Sequence, residues 1–255
     1  MTIRVELDPR DGGAVARLTV DNAAKLNILG SALMTALAAE LAALAGREDL
    51  RAVVLTGAGE RAFIGGADIR EMAALDTAGT RAFITRLHGV CAAIRDLPVP
   101  VIARISGLAL GAGLEVAAAC DLRVAADNAA FGMPEVRVGI PSVIEAALLP
   151  ALIGWGRTRE LLLLGETIDA ATALRWGLVE RVVPAARLDE AVEACLASLL
   201  KAGPRAIRLQ KRLICRWEDL SVSDAIAAGI DSFADAYATD EPARRMRAFL
   251  DRPRR

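Results

Sequence analysis

The sequence predicts an α/β protein with a helical C-terminal part, and three observations carry that prediction. Short, nearly uncharged runs rich in Val, Ile and Leu recur through the first half, the kind that lie buried on both faces of a parallel sheet. Segments with apolar residues at helical spacing separate them, as crossover connections require. Beyond about residue 143 the strand-like runs almost vanish.

Taken in order, "AVARLTV" (14–20) alternates loosely and is β-branched, so it reads as a strand. "SALMTALAAELAALAG" (31–46) has helical spacing, with Ser31 as its cap and Gly46 as its stop. "LRAVVLTG" (50–57), "VPVIARISG" (99–107) and "DLRVAAD" (121–127) are buried strands. "GLVERVVP" (177–184) is the one late strand, and residues 187–250 read as helices broken at Gly203-Pro204, around 219–223 and at 240–242. No internal repeat or low-complexity segment is evident.

Composition narrows the function. The 255 residues suit one large domain, or one with a small appendage, and 54% hydrophobic residues supply a large core with apolar surface left over for subunit burial. Lys+Arg 31 against Asp+Glu 32 gives no field that would draw nucleic acid or an anionic membrane. Cys91, Cys120, Cys195 and Cys215 are scattered with no CxxC pair, so they read as thiols of a reducing compartment rather than disulfides or metal ligands. The N-terminus has no apolar signal core, and the expected location is cytoplasmic.

Two glycine-rich turns carry chemistry. "TGAGERAFIGGADIREM" (56–72) leaves one buried strand and enters a helix near Asp68; "ISGLALGAGLEV" leaves another and opens a helix near Gly113. Each places unhindered N–H groups at a helix start, where negative charge is favoured. Two such turns, each after a strand of the same buried kind, could aim two N–H groups at one oxygen, an oxyanion hole. Neither matches a P-loop or a dinucleotide fingerprint. Glu115, in "GAGLEV", and Glu135, in "FGMPEVRVG", lie close enough in sequence to such a hole to hold one water as an acid/base pair. Read singly, Glu115 is a first-turn acid favoured by the helix dipole and Glu135 a loop acid.

"GERAFIGGADIREM", "PVIARISGLALGAGLEVAAACDLRVAADNAAFGMPEVRVGI", "LLLLGETIDAATALRWGLVERVVP" and "ARRMRAFLDR" resemble, in order, the enoyl-CoA hydratase/isomerase (crotonase) family, from about residue 15 onward. The resemblance implies a ββα spiral core over residues 1–185 and a helical trimerisation region over 186–255, assembled as a homotrimer or a hexamer of paired trimers. It implies an acyl-CoA thioester substrate of fatty acid metabolism, with coenzyme A as part of the substrate and no metal or separate cofactor. The thioester oxygen would be held by the N–H groups of Ala67 and Ala112, the latter where the family usually has Gly. Glu115 and Glu135 fall on the positions of the acid/base pair in hydrating members. Glu115 would activate water, and Glu135 would handle the proton at the α-carbon. Lys25, Leu26 and Asn27 resemble the segment that touches CoA; Asp68, Ile69 and Arg70 follow the oxyanion residue, and Arg70 and Arg252 match cations near the CoA moiety.

The resemblance thus implies a lyase that hydrates 2-enoyl-CoA. Alternatives are another reaction of the family, namely double-bond isomerisation, hydrolysis or decarboxylation, or a non-catalytic acyl-CoA-binding subunit. One segment departs from the pattern. After Pro141 the family's glycine-rich turn is replaced by "SVIEAALLP". "SVIE" has the form of a capping box, with Ser142 as cap and Glu145 reaching back, and this reading is preferred to a third carboxylate in the acyl pocket. His88, the only histidine, is expected on a helix away from the motifs.

Overall fold

The computed structural model describes residues 1–251. Two strands open the chain, β1 (Thr2–Arg10) and β2 (Gly13–Asp21), followed by α1 (Ser31–Ala45). The central part runs β3 (Leu50–Gly57), β4 (Ala62–Ile64), α2 (Ile69–Met72), α3 (Thr77–Asp96), β5 (Val101–Ile105), β6 (Leu108–Leu110), α4 (Ala112–Ala119), β7 (Leu122–Ala126) and β8 (Ala130–Gly132). Then come α5 (Leu149–Leu164), β9 (Thr167–Asp169), α6 (Ala170–Trp176), β10 (Arg181–Val183), α7 (Leu188–Lys201), α8 (Pro204–Trp217), α9 (Val222–Ala236) and α10 (Glu241–Leu250).

The strands form two sheets, ordered β1-β2-β3-β5-β7-β10 and β4-β6-β8-β9. β3, β5 and β7 are parallel neighbours in the first, and β4, β6 and β8 parallel neighbours in the second. Each of three successive turns of chain therefore lays one strand in each sheet, and helices follow the first two of these pairs. This is the ββα spiral expected, a repeat of geometry rather than of sequence. The large core lies between the sheets and under α1, α3 and α4; a second cluster on the outer face of the first sheet joins Val15, Val54 and Ile102 to Leu188, Val192 and Leu196 of α7.

The breaks predicted between C-terminal helices fall where the structure has them. The first strand was not expected: β1 pairs antiparallel with β2 from Thr2↔Asp21 to Arg10↔Gly13, but as an edge strand it carries charge at Arg4, Glu6 and Asp8 and lacks an apolar run. Strands β4, β6, β8 and β9 have three residues each, too few to show a period. The start of α1 is also one residue earlier than expected. Gly30 is the N-cap, and Glu71 Oε2 accepts from the Ser31 N–H at 2.9 Å, so a carboxylate from α2 does the capping.

One buried cation ties the helical part to the core. Lys211 Nζ donates to the carbonyls of Ile94 and Val99, both at 3.0 Å, and pairs with Asp121 at 2.8 Å. Asp121 also accepts from the Val101 N–H at 2.7 Å, so α8, the end of α3 and the start of β5 meet at one charge pair. All its donors are used, which is the condition for tolerating a buried ammonium group.

Candidate active site

The site forms where the first glycine turn, the start of α4 and the segment 133–146 come together. α4 is buried along its whole length, and its side chains are apolar, mostly Ala, except Glu115. Small residues are needed because Gly113 lies against the Ile64 carbonyl of β4; a Cβ there would overlap it. Arg123 anchors the other end, donating to the Cys120 carbonyl at 2.7 Å and the Leu178 carbonyl at 2.9 Å while paired with Glu180. A rigid, dry helix thus carries one carboxyl group in its first turn.

Gly111 holds the turn before α4 with φ +51 and ψ −119, a conformation that side-chain-bearing residues avoid. A Cβ on Gly111 would run into Glu135 Oε1, which places that carboxylate directly over the entry to α4. Ser142 Oγ donates to the other oxygen, Glu135 Oε2, at 2.9 Å. Glu135 itself sits in a 3-10 turn over Pro134–Val138. The two acids therefore approach each other: the charge of Glu135 is felt by Glu115, a residue only 4% exposed. Burial first, and then Glu135, pushes the Glu115 pKa up to about 8, while the Ala146 backbone N–H works in the opposite direction. Its Oε1 has no hydrogen-bond partner among the described residues.

The first glycine turn runs beside the second. β4 pairs with β6, and a Cβ on Gly66 would lie 3.5 Å from the Leu110 carbonyl. The neighbours of Ala67 are pinned, since Leu29 N–H donates to the Gly66 carbonyl and Asp68 N–H to the Leu29 carbonyl, both at 2.9 Å. The N–H groups of Ala67 and Ala112 donate to no acceptor among the described residues. Those are the two N–H groups that the family resemblance implies for the thioester oxygen.

The remaining predicted residues divide. Lys25 ends a 3-10 turn over Ala23–Lys25 and is exposed, and Leu26 follows in the left-handed region at φ 55. The side chain of Asn27 is not available to a ligand. It is fully buried, donating to the Ala58 and Ala62 carbonyls at 3.0 and 2.7 Å and accepting from the Asn22 N–H at 3.0 Å. It locks the turn that presents Lys25 and Leu26. Asp68 spends one oxygen capping α2, accepting from Arg70 and Glu71 N–H groups at 3.0 and 3.3 Å. Ile69 and Arg70 are exposed beside it. Arg252 lies outside the described residues.

The capping-box reading of "SVIE" is overturned. The turn over Ile144–Leu148 begins after Val143 with no side-chain cap, and Ser142 serves Glu135 instead. Glu145 is 6% exposed and shares a 2.8 Å hydrogen bond between Oε1 and His88 Nδ1. His88, on α3, is thus drawn to the site rather than away from it. Sequence reasoning missed this because a capping box and an inward carboxylate share one pattern. Ile144 separates them: its φ is +39, rare for a β-branched residue, and such a kink accompanies the inward turn.

The comparisons with known proteins give the chain's family and fold. The profile of the enoyl-CoA hydratase/isomerase family matches residues 10–254. A short-chain-enoyl-CoA hydratase of Clostridium acetobutylicum is 34% identical over 94% of this chain and 92% of its own length. A crotonyl-CoA hydratase of Syntrophomonas wolfei is 36% identical over 78% of this chain and 77% of its own. Among solved structures, an enoyl-CoA hydratase of Mycobacterium smegmatis superposes with a TM-score of 0.92 at 32% identity, covering 98% of both chains. The family profile over nearly the whole chain, the identity to these relatives and the superposed fold lead to one assignment: the chain belongs to the enoyl-CoA hydratase/isomerase family.

Proposed function

We propose that this protein hydrates 2-enoyl-CoA thioesters, adding water across the 2,3 double bond to give 3-hydroxyacyl-CoA. The observation that carries the reading is the approach of Glu115 and Glu135 at the start of α4, beside two N–H groups without acceptors. Water forms its C–O bond at C3, and the π electrons move through C2 onto the thioester oxygen. Ala67 and Ala112 N–H groups receive that charge, aided by the N-terminal end of α4. One carboxyl group takes the proton lost by water, and the other delivers one to C2, so the pair begins and ends each turnover sharing a single proton. Adding H to C2 and OH to C3 involves no net oxidation or reduction, so the reaction calls for no redox cofactor.

Exposed Lys25, Ile69 and Arg70 and half-buried Leu26 flank the turn that carries Ala67, a placement that suits contact with the CoA portion. The altered segment after Pro141 gives double-bond isomerisation a place as second reading, because it changes the groups around the water. Loss of the conjugated enoyl chromophore on mixing with crotonyl-CoA, at saturable rates, is the expected result. A chromophore that persists with every chain length tried would refute the hydratase reading.

The same reading includes assembly and location. Trp217, Ile226, Ile230, Phe233 and Tyr237 of the C-terminal helices and turns are all exposed in the single chain, and that much apolar surface supports a trimer or a dimer of trimers. Sedimentation at micromolar concentration should give three or six times the chain mass; a monomer would contradict this part. Free, mostly buried cysteines support a cytoplasmic location, and no helix among the described residues is long and apolar enough to cross a membrane.

A further inference from the structure

The acid pair accounts for two carboxyl groups, but the structure buries a third beside them. Glu145 sits on the 3-10 turn over Ile144–Leu148, which packs on both α4 and α3. One of its oxygens is engaged by His88; the other, Oε2, is buried with only the weak Cys91 thiol donor of α3 beside it and no N–H or O–H partner among the described residues. Glu115 Oε1 likewise lacks such a partner, on the helix against which this turn packs. A buried carboxyl oxygen without a partner costs about 1–3 kcal/mol or more, so two on touching elements call for an account.

Resting on the hydratase reading above, we propose that Glu145, oriented by His88, is a positioning residue for Glu115: a third buried carboxyl group that decides which member of the Glu115–Glu135 pair carries the proton when substrate arrives. His88 reaches solvent, with its side chain 55% exposed, while its Nδ1 shares a 2.8 Å hydrogen bond with Glu145 Oε1, and in the tautomer protonated at Nδ1 it holds Glu145 as a carboxylate. A carboxylate so held presents negative charge to its neighbours, and adjacent buried carboxylates do not ionise together at low cost. The groups around it set the sign. From α4 comes Glu115; from α3 come His88, the buried thiol of Cys91 and the Arg95 guanidinium; Glu135 faces Glu115 from its own turn. Arg95 draws on Glu145 but is itself paired with Glu218 at 2.6 Å. Burial and both neighbouring acids raise the proton affinity of Glu115, whereas the Ala146 N–H lowers it. Neutralising Glu145 therefore lets Glu115 ionise at lower pH.

The test uses Glu145→Gln, His88→Asn and the double variant, each with a full pH profile and an infrared titration. The carboxylic acid band that disappears in Glu115→Gln identifies Glu115 and needs no turnover. In Glu145→Gln that band should titrate at a lower pH than in the wild type. The alkaline limb of kcat/KM should move with it, and kcat should fall about tenfold with KM within about twofold. His88→Asn, an exposed change that spares the core, should move both in the same direction, and the double variant should add little beyond Glu145→Gln. A lower Tm with band and limb unmoved in His88→Asn and Glu145→Gln would reduce Glu145 to a structural role and overturn the proposal. Should Glu145→Gln not fold, His88→Asn alone decides. A wild type that turns over no enoyl-CoA while its band shifts as described would refute the hydratase reading and leave the positioning role standing.

Discussion

Glu115→Gln is expected to cut enoyl-CoA hydration by about 10²–10⁴-fold and to flatten the pH dependence of folding stability. The two effects have one origin. Glu115 is pushed from 4.5 in the unfolded chain to about 8 in the folded one, chiefly by burial. The folded state therefore binds the proton more tightly. The stability linked to it is fully present below about 4.5, declines as pH rises and is gone above about 8. The whole swing is on the order of 5 kcal/mol, less what a buried amide costs in its place. Thermal unfolding at about pH 5 and about pH 9 reads it directly. Wild type should lose much more Tm between the two than Glu115→Gln, and the alkaline limb of kcat/KM near the Glu115 pKa should mark the same ionisation. Equal losses of Tm in both proteins would mean that Glu115 ionises in the fold as it does in water.

Gly111→Ala is expected to cost activity out of proportion to its size. The methyl group has two conflicts: with the backbone, held at φ +51 and ψ −119, and with Glu135 Oε1. The first costs on the order of 1–3 kcal/mol of stability. The second is relieved only if the carboxylate moves, because the added carbon is fixed to the backbone. A displacement of about 1 Å at a reacting group costs on the order of 10²-fold in rate. Residual kcat should fall by that order while the protein still folds, with the loss in kcat rather than KM for the CoA portion. Gly139→Ala is the comparison: it also has positive φ, but a Cβ there meets nothing within 4 Å. It should lose stability and keep most of its activity. Similar kinetics in the two variants would separate Glu135 from the chemistry.

Much of this was legible in the sequence because the physics is local. The buried strands β3, β5 and β7 announce themselves as apolar runs, and the C-terminal helices are punctuated by Gly203-Pro204 and Pro242. Glu115 and the Ala112 N–H are fixed by one helix start, and a helix start is written in a few adjacent residues. What failed depends on contacts between distant segments. The cap on Ser31 comes from Glu71, forty residues on, and Asn27 is consumed by carbonyls of the loop and strand at 58–62. Glu145 looks like a capping residue until His88, on another helix, is seen to hold it. Spacing along the chain says which residues share an element; it does not say which elements meet.

The central claim is that Glu115 and Glu135 together add water to a 2-enoyl-CoA. Its most direct test is turnover of crotonyl-CoA and a longer 2-enoyl-CoA in heavy-oxygen water, with mass spectrometry of the thioester, for wild type, Glu115→Gln and Glu135→Gln. The account predicts a 3-hydroxyacyl-CoA carrying one heavy oxygen in wild type and almost none in either variant. An unlabelled isomer, free CoA, or labelled product undiminished in the variants would contradict it.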